Sequence, residues 1–219
     1  MGRSLSARGH TSESRMMEVP SHHDYFDKAY VKEWAENAIK ERPERRAFFD
    51  AFVREARGVQ RQEISVLELG PGPGFLAEQL LDRCSISSYY LFDFSPFMFE
   101  LSRSRLGRFE GKTVFLKGDF KKKNWPRPLP QNFDLVVSLQ SVHELRHAER
   151  IPRLYAQIYR LLAPGGLFLM CDHVNARRNQ RAHFMTVAEH LSALEGVGFT
   201  EVREVFQKVD MSLMRGCKG

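Results

Sequence analysis

A short apolar run that ends in interleaved glycines constrains the fold of this chain more than any other feature. Residues 64–69 read Ile-Ser-Val-Leu-Glu-Leu, and residues 70–74 read Gly-Pro-Gly-Pro-Gly. Helical spacing of apolar side chains resumes directly afterwards, over residues 75–81. The order of buried strand, tight glycine turn and helix predicts a βα unit of an open α/β sheet.

The alternation of strand and helix continues along the chain. Short apolar runs predict four more strands at residues 89–92, 114–116, 133–139 and 167–171, and residues 152–162 have helical spacing. The predicted helix ends at the Pro-Gly-Gly that precedes the fifth strand. Strands that are apolar throughout, rather than alternating, indicate burial on both faces of a parallel sheet covered by helices.

The last part of the sequence departs from this alternation. Residues 186–195 predict a helix, and residues 199–206 and 208–214 predict two strands joined by almost no loop. A connection that short cannot make a parallel crossover, so we expect these strands to pair antiparallel at one edge. The sequence therefore predicts a Rossmann-like, doubly wound α/β fold with a mainly parallel seven-stranded sheet and an antiparallel edge strand.

The segment before the first strand predicts a leader and a helical cap. Residues 1–20 are rich in Ser and Arg, which favours a disordered leader over a transit or myristoylation signal. Residues 25–40 and 43–57 have amphipathic helical spacing. We therefore expect N-terminal cap helices over residues 21–60 and one larger domain over residues 61–219.

Composition limits the class of protein and its setting. The 33 Lys and Arg residues exceed the 27 acidic residues by a net charge of +6 that is spread along the sequence, which permits an anionic partner without requiring one. The three cysteines have no CxxC spacing, so we predict neither a disulfide framework nor a metal site. No apolar run approaches the roughly 18 residues of a membrane helix. We expect a cytoplasmic protein without a membrane partner, either a monomer or a homodimer.

The spacing of the glycines indicates which ligand the turn accepts. A dinucleotide-binding G-x-G-x-x-G motif needs a third glycine where this chain has Phe75. The pattern here is G-x-G-x-G with Glu68 before it, and an acidic residue at that place is unfavourable for a pyrophosphate. The turn therefore favours a ligand that presents no phosphate to it.

Four motifs in register resemble those of the class I S-adenosylmethionine-dependent methyltransferases, in particular the small-molecule, type 11/12-like members. Residues 68–74 are similar to the first motif of that family, and residues 92–96 to the second. Residues 118–120 and the Pro-Gly-Gly within residues 162–167 are similar to two further motifs. The resemblance covers about residues 64–169, and four motifs in order are more specific than any one of them.

The resemblance implies S-adenosylmethionine as the cofactor and S-adenosylhomocysteine as its product. It assigns Asp93 to the ribose hydroxyls, because one carboxylate accepts from two neighbouring hydroxyls at once. It places Asp119 near the adenine amino group, although Gly-Asp is also ordinary loop chemistry. The implied cofactor-binding residues are Glu68, Gly70, Gly72, Gly74, Asp93, Phe94, Asp119, Phe120 and Gln140.

The methyl acceptor is expected beyond the carboxyl ends of the fourth and fifth strands. Residues 138–144 and 171–173 follow those strands, and each segment supplies a histidine able to exchange a proton near neutral pH. We predict His143 as the general base or the group that orients the acceptor, with His173 as the second catalytic candidate. A solvent-facing His143 and a structural His173 are the alternatives.

The cap is expected to help bind the substrate. Tyr25 and Trp34 can form an aromatic lid, and an aromatic face attracts the positive charge of a sulfonium. Ordinary packing is the alternative, and it is favoured for aromatic residues of the cap other than Trp34. The polar segment at residues 175–185 is a second candidate wall of the site.

Other functions compete with methyl transfer to a small molecule. Lys121, Lys122 and Lys123 with Trp125 suggest a nucleic-acid contact, but a solvated loop is the favoured interpretation. Residues 139–142 lack the N-P-P-[FY] sequence of base-amino methyltransferases, so a small-molecule methyl acceptor is preferred. A non-catalytic cofactor-binding module or partner protein is the main alternative, ahead of aminopropyl transfer and RNA methylation.

Overall fold

The computed structural model describes residues 20–174 and 184–219, which contain six α-helices and seven strands. The helices α1 to α6 span Lys28–Glu41, Arg45–Arg57, Phe75–Arg83, Pro96–Leu106, Ile151–Leu161 and Val187–Val197. The strands β1 to β7 span Ile64–Leu69, Ile86–Asp93, Thr113–Lys117, Phe133–Leu139, Leu162–His173, Phe199–Lys208 and Met211–Lys218. The predicted leader before residue 20 and most of the predicted loop at residues 175–185 lie outside the described residues.

All seven strands form one sheet in the order β3-β2-β1-β4-β5-β7-β6. Strands β1 to β5 pair parallel, whereas β7 pairs antiparallel with both β5 and β6. The mainly parallel, doubly wound sheet with an antiparallel pair at one edge is therefore confirmed. The reversed strand β7 lies one position inside that edge, because its apolar residues are buried while the charged strand β6 faces solvent.

Two hydrophobic cores flank the sheet and explain the continuous apolar runs. On one face, Phe48 and Phe52 of α2 pack with α3 against residues such as Val66. On the other face, Tyr155 of α5 packs against residues such as Leu67. Neighbouring residues of β1 thus enter opposite cores, so a buried parallel strand needs apolar side chains on both of its faces.

The bounds of β5 differ from the sequence prediction. Helix α5 ends at Leu161 instead of reaching the Pro-Gly-Gly, and β5 begins at Leu162 rather than at residue 167. Leu162 already pairs with Phe133, and the register then shifts so that Leu135 pairs with Leu167. The Pro-Gly-Gly therefore forms a bulge within the strand, where Gly165 has a φ of 74°.

The basic loop, for which a nucleic-acid contact was the less favoured interpretation, presents no exposed aromatic residue. Trp125 is 4% exposed, and its Nε1 donates to Oε1 of Gln157 at 2.9 Å. Its ring centroid lies 5.2 Å from that of Phe92. Trp125 is thus part of a hydrophobic core, and its indole is not available for stacking on a base.

The described residues also show the state of the cysteines, the grouping of possible metal ligands and the character of the helices. Cys84, Cys171 and Cys217 are free thiols. Within residues 20–174 and 184–219, no group of three or more His, Cys, Asp or Glu side chains is arranged to hold a metal ion. In the same ranges no helix has the length and apolar character needed to cross a bilayer.

We predict that Gly118→Ala destabilises the fold. A Cβ on Gly118 would lie 2.3 Å from Cζ of Phe92, whose ring is buried in the core. The free energy of unfolding should fall by about 1–3 kcal/mol, because the ring or the loop must move to relieve the clash. Urea denaturation monitored by circular dichroism measures the change.

Gly111→Ala is the matched control, since a Cβ there meets no atom within 4 Å. We expect it to change the free energy of unfolding by less than about 0.5 kcal/mol. Equal stabilities of the two variants would contradict the assigned packing of Gly118.

Candidate functional site

The carboxyl ends of the central strands and the N-terminal helices enclose a cavity of about 280 Å³. An open α/β sheet binds its ligands in this place, where the strand order reverses. Eleven of the predicted site residues line it, namely Tyr25, Trp34, Glu68, Gly70, Gly72, Asp93, Phe94, Phe120, Gln140, His143 and His173. The other two, Gly74 and Asp119, lie outside the cavity wall. Gly74 packs at the start of α3, and Asp119 accepts from the backbone N–H of Lys121 at 2.9 Å.

The three glycines of the turn are required for different reasons. Gly70, Gly72 and Gly74 all have positive φ values, of 66°, 54° and 80°, which glycine adopts without steric cost. A Cβ on Gly70 would lie 2.5 Å from Cβ of Ser141, and a Cβ on Gly74 would lie 3.1 Å from that of Ser102. Only Gly72 meets nothing within 4 Å. Gly72 is therefore the point at which backbone is open to a ligand.

Asp93 ends β2 with its carboxylate directed to the glycine turn. Its Oδ2 accepts from the N–H of Gly72 at 3.3 Å, and its Oδ1 accepts from the N–H of Ser95 at 2.9 Å. Burial raises the pKa of Asp93 to about 6, although the backbone donors favour the charged form. Ser95 caps α4 through Met98, as its sequence position indicates, so Asp93 is not needed as the helix cap.

Glu68 is a second buried carboxyl group in the cavity wall. It is 1% exposed and accepts from the hydroxyl of Tyr89 at 2.7 Å. Burial raises the pKa of Glu68 to about 8, with the charge of Asp93 acting in the same direction and the Tyr89 hydrogen bond opposing it. At neutral pH the pair therefore carries mainly the charge of Asp93.

His143 forms an ion pair with Asp172, the penultimate residue of β5. Nδ1 of His143 donates to Oδ1 of Asp172 at 2.6 Å, and the backbone N–H of His143 donates to Oδ2 at 2.9 Å. Burial alone disfavours the charged ring, but Asp172 and Glu144 outweigh it and raise the pKa of His143. The raised pKa favours the protonated imidazolium at neutral pH, and the side chain is only 15% exposed.

His173 is held in a chain of hydrogen bonds that uses both ring nitrogens. Nε of Arg45 donates to Oε1 of Gln140 at 2.6 Å, and Nε2 of Gln140 lies 2.9 Å from Nε2 of His173. The Gln140 amide nitrogen must then donate, so His173 accepts there and donates from Nδ1 to Oδ2 of Asp210 at 3.0 Å. His173 consequently orients Gln140 and has no free lone pair to take a proton from an acceptor.

Gln140 itself has a strained backbone. Its φ of 54° is in the left-handed region, and its N–H donates to the carbonyl of Cys171 at 2.7 Å. The side-chain bonds to Arg45 and His173 hold it in this conformation. Strain that is maintained by neighbouring contacts is typical of functional sites.

The segment before α1 closes the cavity with aromatic rings. The ring of Tyr25 packs edge-on against Trp34 at 6.3 Å and Phe94 at 5.9 Å. Its hydroxyl donates to Oε1 of Glu144 at 3.4 Å, and its carbonyl accepts from the hydroxyl of Ser95 at 2.7 Å. Tyr25 thus connects the lid to the ends of β2 and β4.

Sequence reasoning missed the partners of the predicted residues. Asp172 and Glu144 directly neighbour the two histidines, but no spacing rule indicates that they contact His143. The sequence did contain one indication that Arg45 faces the interior. Arg45 precedes Phe48 and Phe52 by three and seven residues, so it lies on the same apolar face of the helix. Phe184, from the predicted loop, has its ring centroid 5.8 Å from that of His143.

We predict that the charge of Asp172 keeps His143 protonated. Long-range ¹H–¹⁵N spectra of the wild type should show an imidazolium for His143 at pH 8. In Asp172→Asn, the pKa of His143 should fall, since burial is then opposed by Glu144 alone. His190, whose pKa burial lowers to about 4, is the internal reference for a neutral ring. A neutral His143 ring at pH 7 in the wild type would disprove the assignment.

Known proteins share the segment that carries this site. A family model described as "Methyltransferase domain" matches residues 66–166. The chain is 26% identical over 181 residues to the sterol 24-C-methyltransferase erg-4 of Neurospora crassa, which covers 70% of this chain and 45% of that protein. It is 29% identical over 157 residues to the ubiquinone/menaquinone biosynthesis C-methyltransferase UbiE of Methylobacterium nodulans. That match covers 68% of this chain and 60% of that protein. The chain therefore spans about half the length of these relatives.

Solved structures share the fold. The crystal structure of human N-acetylserotonin methyltransferase in complex with SAM superposes with a TM-score of 0.61 at 20% identity, over 88% of this chain and 54% of that one. The segment matched by the family model contains the glycine turn, Asp93 and the Pro-Gly-Gly bulge, in the order that the motifs require. These similarities identify residues 66–166 as a domain of the class I S-adenosylmethionine-dependent methyltransferase family.

Proposed function

We propose that this protein transfers the methyl group of S-adenosylmethionine to a small-molecule acceptor by direct displacement. The observation that carries the proposal is a pair of buried carboxyl groups, Glu68 and Asp93, beside the open backbone of Gly72. Among the described residues, no cationic side chain lies within ion-pair distance of either carboxyl group. A buried acidic site without a cation is compatible with a positively charged ligand and unfavourable for a phosphate.

The residues of the cavity fit the parts of this cofactor. The carboxylate of Asp93 has lone pairs available for the two ribose hydroxyls. Burial keeps Glu68 mainly neutral, and a cationic group of the ligand beside it would favour its ionised form. The rings of Phe94 and Tyr25 supply apolar surface for a flat base. When bound, S-adenosylmethionine supplies a methyl group on a positively charged sulfur.

On the acceptor side, we assign His143 to orientation rather than to proton abstraction. Its Nδ1 is bonded to Asp172, and Nε2 of the protonated ring carries a second N–H that faces Glu144, with Nε2 3.6 Å from Oε1. Such a donor can hold an acceptor oxygen in line with the methyl group, and alignment is the main requirement of this displacement. The lid of Tyr25 and Trp34 favours a small acceptor over a polymer.

Calorimetric titration with S-adenosylmethionine and S-adenosylhomocysteine tests the cofactor assignment. We expect both to bind the wild type, and Asp93→Asn to weaken S-adenosylhomocysteine by about 10- to 100-fold, because a charged acceptor is lost. The pKa of Asp93, raised by burial to about 6, sets the pH dependence. Affinity is complete above this pKa, falls as the carboxylate is protonated towards pH 5, and should lose this dependence in Asp93→Asn.

Asp82→Asn is the matched control, because Asp82 is a carboxylate outside the cavity that pairs with Arg108. It should leave both affinities unchanged. Failure of the wild type to bind either compound would overturn the proposed function. Binding of both compounds, without methyl transfer to any small molecule of a cell extract, would instead support a non-catalytic binding module.

The role of His143 is tested by measuring the transfer of labelled methyl groups from S-adenosylmethionine to the small molecules of a cell extract. We expect His143→Gln to lower the rate by about 100-fold, since a positioned donor is removed. If the protonated ring is the working form, the wild-type rate should stay level through neutral pH and decline as the ring loses its proton at higher pH. The exposed residue His22 provides the control variant His22→Gln, for which we expect the wild-type rate. A rate that rises with pH through neutrality would contradict the orienting role and assign His143 as a general base.

A further inference from the structure

We propose that Arg45 anchors a carboxylate group of a ligand bound in the cavity, at the end formed by β4 and β5. The inference deepens the proposed function, since it names a chemical group that a bound cofactor or acceptor must carry. It concerns a residue outside the segment that the family model matches.

Arg45 is a buried cation in the cavity wall. The residue is 9% exposed, and it lies on α2 among the cavity-lining residues. Nε donates to Oε1 of Gln140 at 2.6 Å, and Nη1 donates to the carbonyl of Ala38 at 2.9 Å. A guanidinium has five N–H donors, so Nη2 and one N–H of Nη1 keep their hydrogen-bonding capacity.

No carboxylate among the described residues lies within ion-pair distance of Arg45. Arg42 lines the same cavity, but it pairs with Asp210 at 2.8 Å and with Glu44 at 3.3 Å. Burial lowers the pKa of Arg45, and the charge of Arg42 acts in the same direction. A buried charge without a counter-ion is costly, and an anionic ligand would remove that cost.

The cavity therefore has an acidic end and a basic end. Glu68 and Asp93 lie at the carboxyl ends of neighbouring strands β1 and β2 without a cation. Arg45 is bonded to Gln140, which follows β4, and has no anion. A ligand that carries a positive charge near one end and a carboxylate near the other complements both. The amino-acid part of the cofactor and an acidic methyl acceptor are the two sources of such a carboxylate.

The contacts of Arg45 also orient its donors. Gln140 holds Nε, and the guanidinium carbon lies 5.4 Å from the centre of the Trp34 ring. A guanidinium fixed in one plane presents parallel N–H groups that match the two oxygens of a carboxylate. A lysine at this position would keep the positive charge but lose the parallel N–H donors.

The test is calorimetric titration at pH 7.5 with two thioether nucleosides. S-adenosylhomocysteine carries the amino-acid carboxylate, whereas 5′-methylthioadenosine lacks the amino-acid part. If the carboxylate comes from the cofactor, Arg45→Met should weaken S-adenosylhomocysteine by about 10- to 100-fold and leave 5′-methylthioadenosine within about two-fold. Arg45→Lys should recover part of the loss, and thermal unfolding confirms that both variants are folded.

A second titration, with benzoate and its neutral analogue benzamide, identifies an acceptor carboxylate. It uses the protein alone and the protein saturated with S-adenosylhomocysteine. If the carboxylate comes from the acceptor, the wild type should prefer benzoate by about 10-fold, and Arg45→Met should lose that preference. Arg46→Met is the matched control, since Arg46 is exposed on the same helix, and it should change no affinity.

Two results would overturn the inference. One is equal weakening of S-adenosylhomocysteine and 5′-methylthioadenosine by Arg45→Met, without an effect on benzoate, which would make Arg45 a support for Gln140. The other is no dependence of S-adenosylhomocysteine or benzoate binding on Arg45. Failure of the wild type to bind either nucleoside would instead refute the proposed function, while the benzoate comparison on the protein alone still tests Arg45.

Discussion

The parallel pairing of β1 with β2 on one side and β4 on the other determines where the glycine turn, Asp93 and the segment after β4 lie. Hydrogen bonds extend the sheet just past the strand ends, from the N–H of Gly70 to the carbonyl of Phe92 and from that of Gln140 to the carbonyl of Cys171. The hydroxyl of Ser141 donates to the carbonyl of Leu69 at 2.6 Å, which ties the glycine turn to the end of β4. The glycine turn, Asp93 and the two histidines therefore lie together at the carboxyl ends of the strands.

Burial of charge is the second constraint on the site. The cavity contains carboxyl groups without cations at β1 and β2, and a guanidinium without an anion on α2. Burying unpaired charges lowers the stability of the ligand-free protein, and it is tolerated where a ligand supplies the missing partners. His143 is different, because Asp172 already compensates its charge inside the protein. We infer that the first groups bind ligand and that His143 is preorganised.

The fold could be predicted where the local pattern of apolar residues agrees with the burial of those residues in the folded protein. The runs that became β1 and β4 are apolar on both faces, so their sequence pattern and their position in the sheet agree. The start of β5 was missed because it depends on a register shift against Phe133, which no local pattern reports. The burial of Trp125 was not predicted from the basic residues around it, because it depends on contacts with Phe92 and Gln157.

The sequence by itself determined the order of strands and helices, the antiparallel pair at one edge, the glycine turn and the acidic residue that ends β2, because each rests on neighbouring residues or on a short motif. The tertiary structure alone decided the chemistry around those groups. It placed the ring of His143 against the carboxylate of Asp172, engaged both nitrogens of His173, and brought Arg45 into the cavity wall beside Gln140. Protonation states and counter-ions depend on distances between residues far apart in the chain, and those distances exist only after folding.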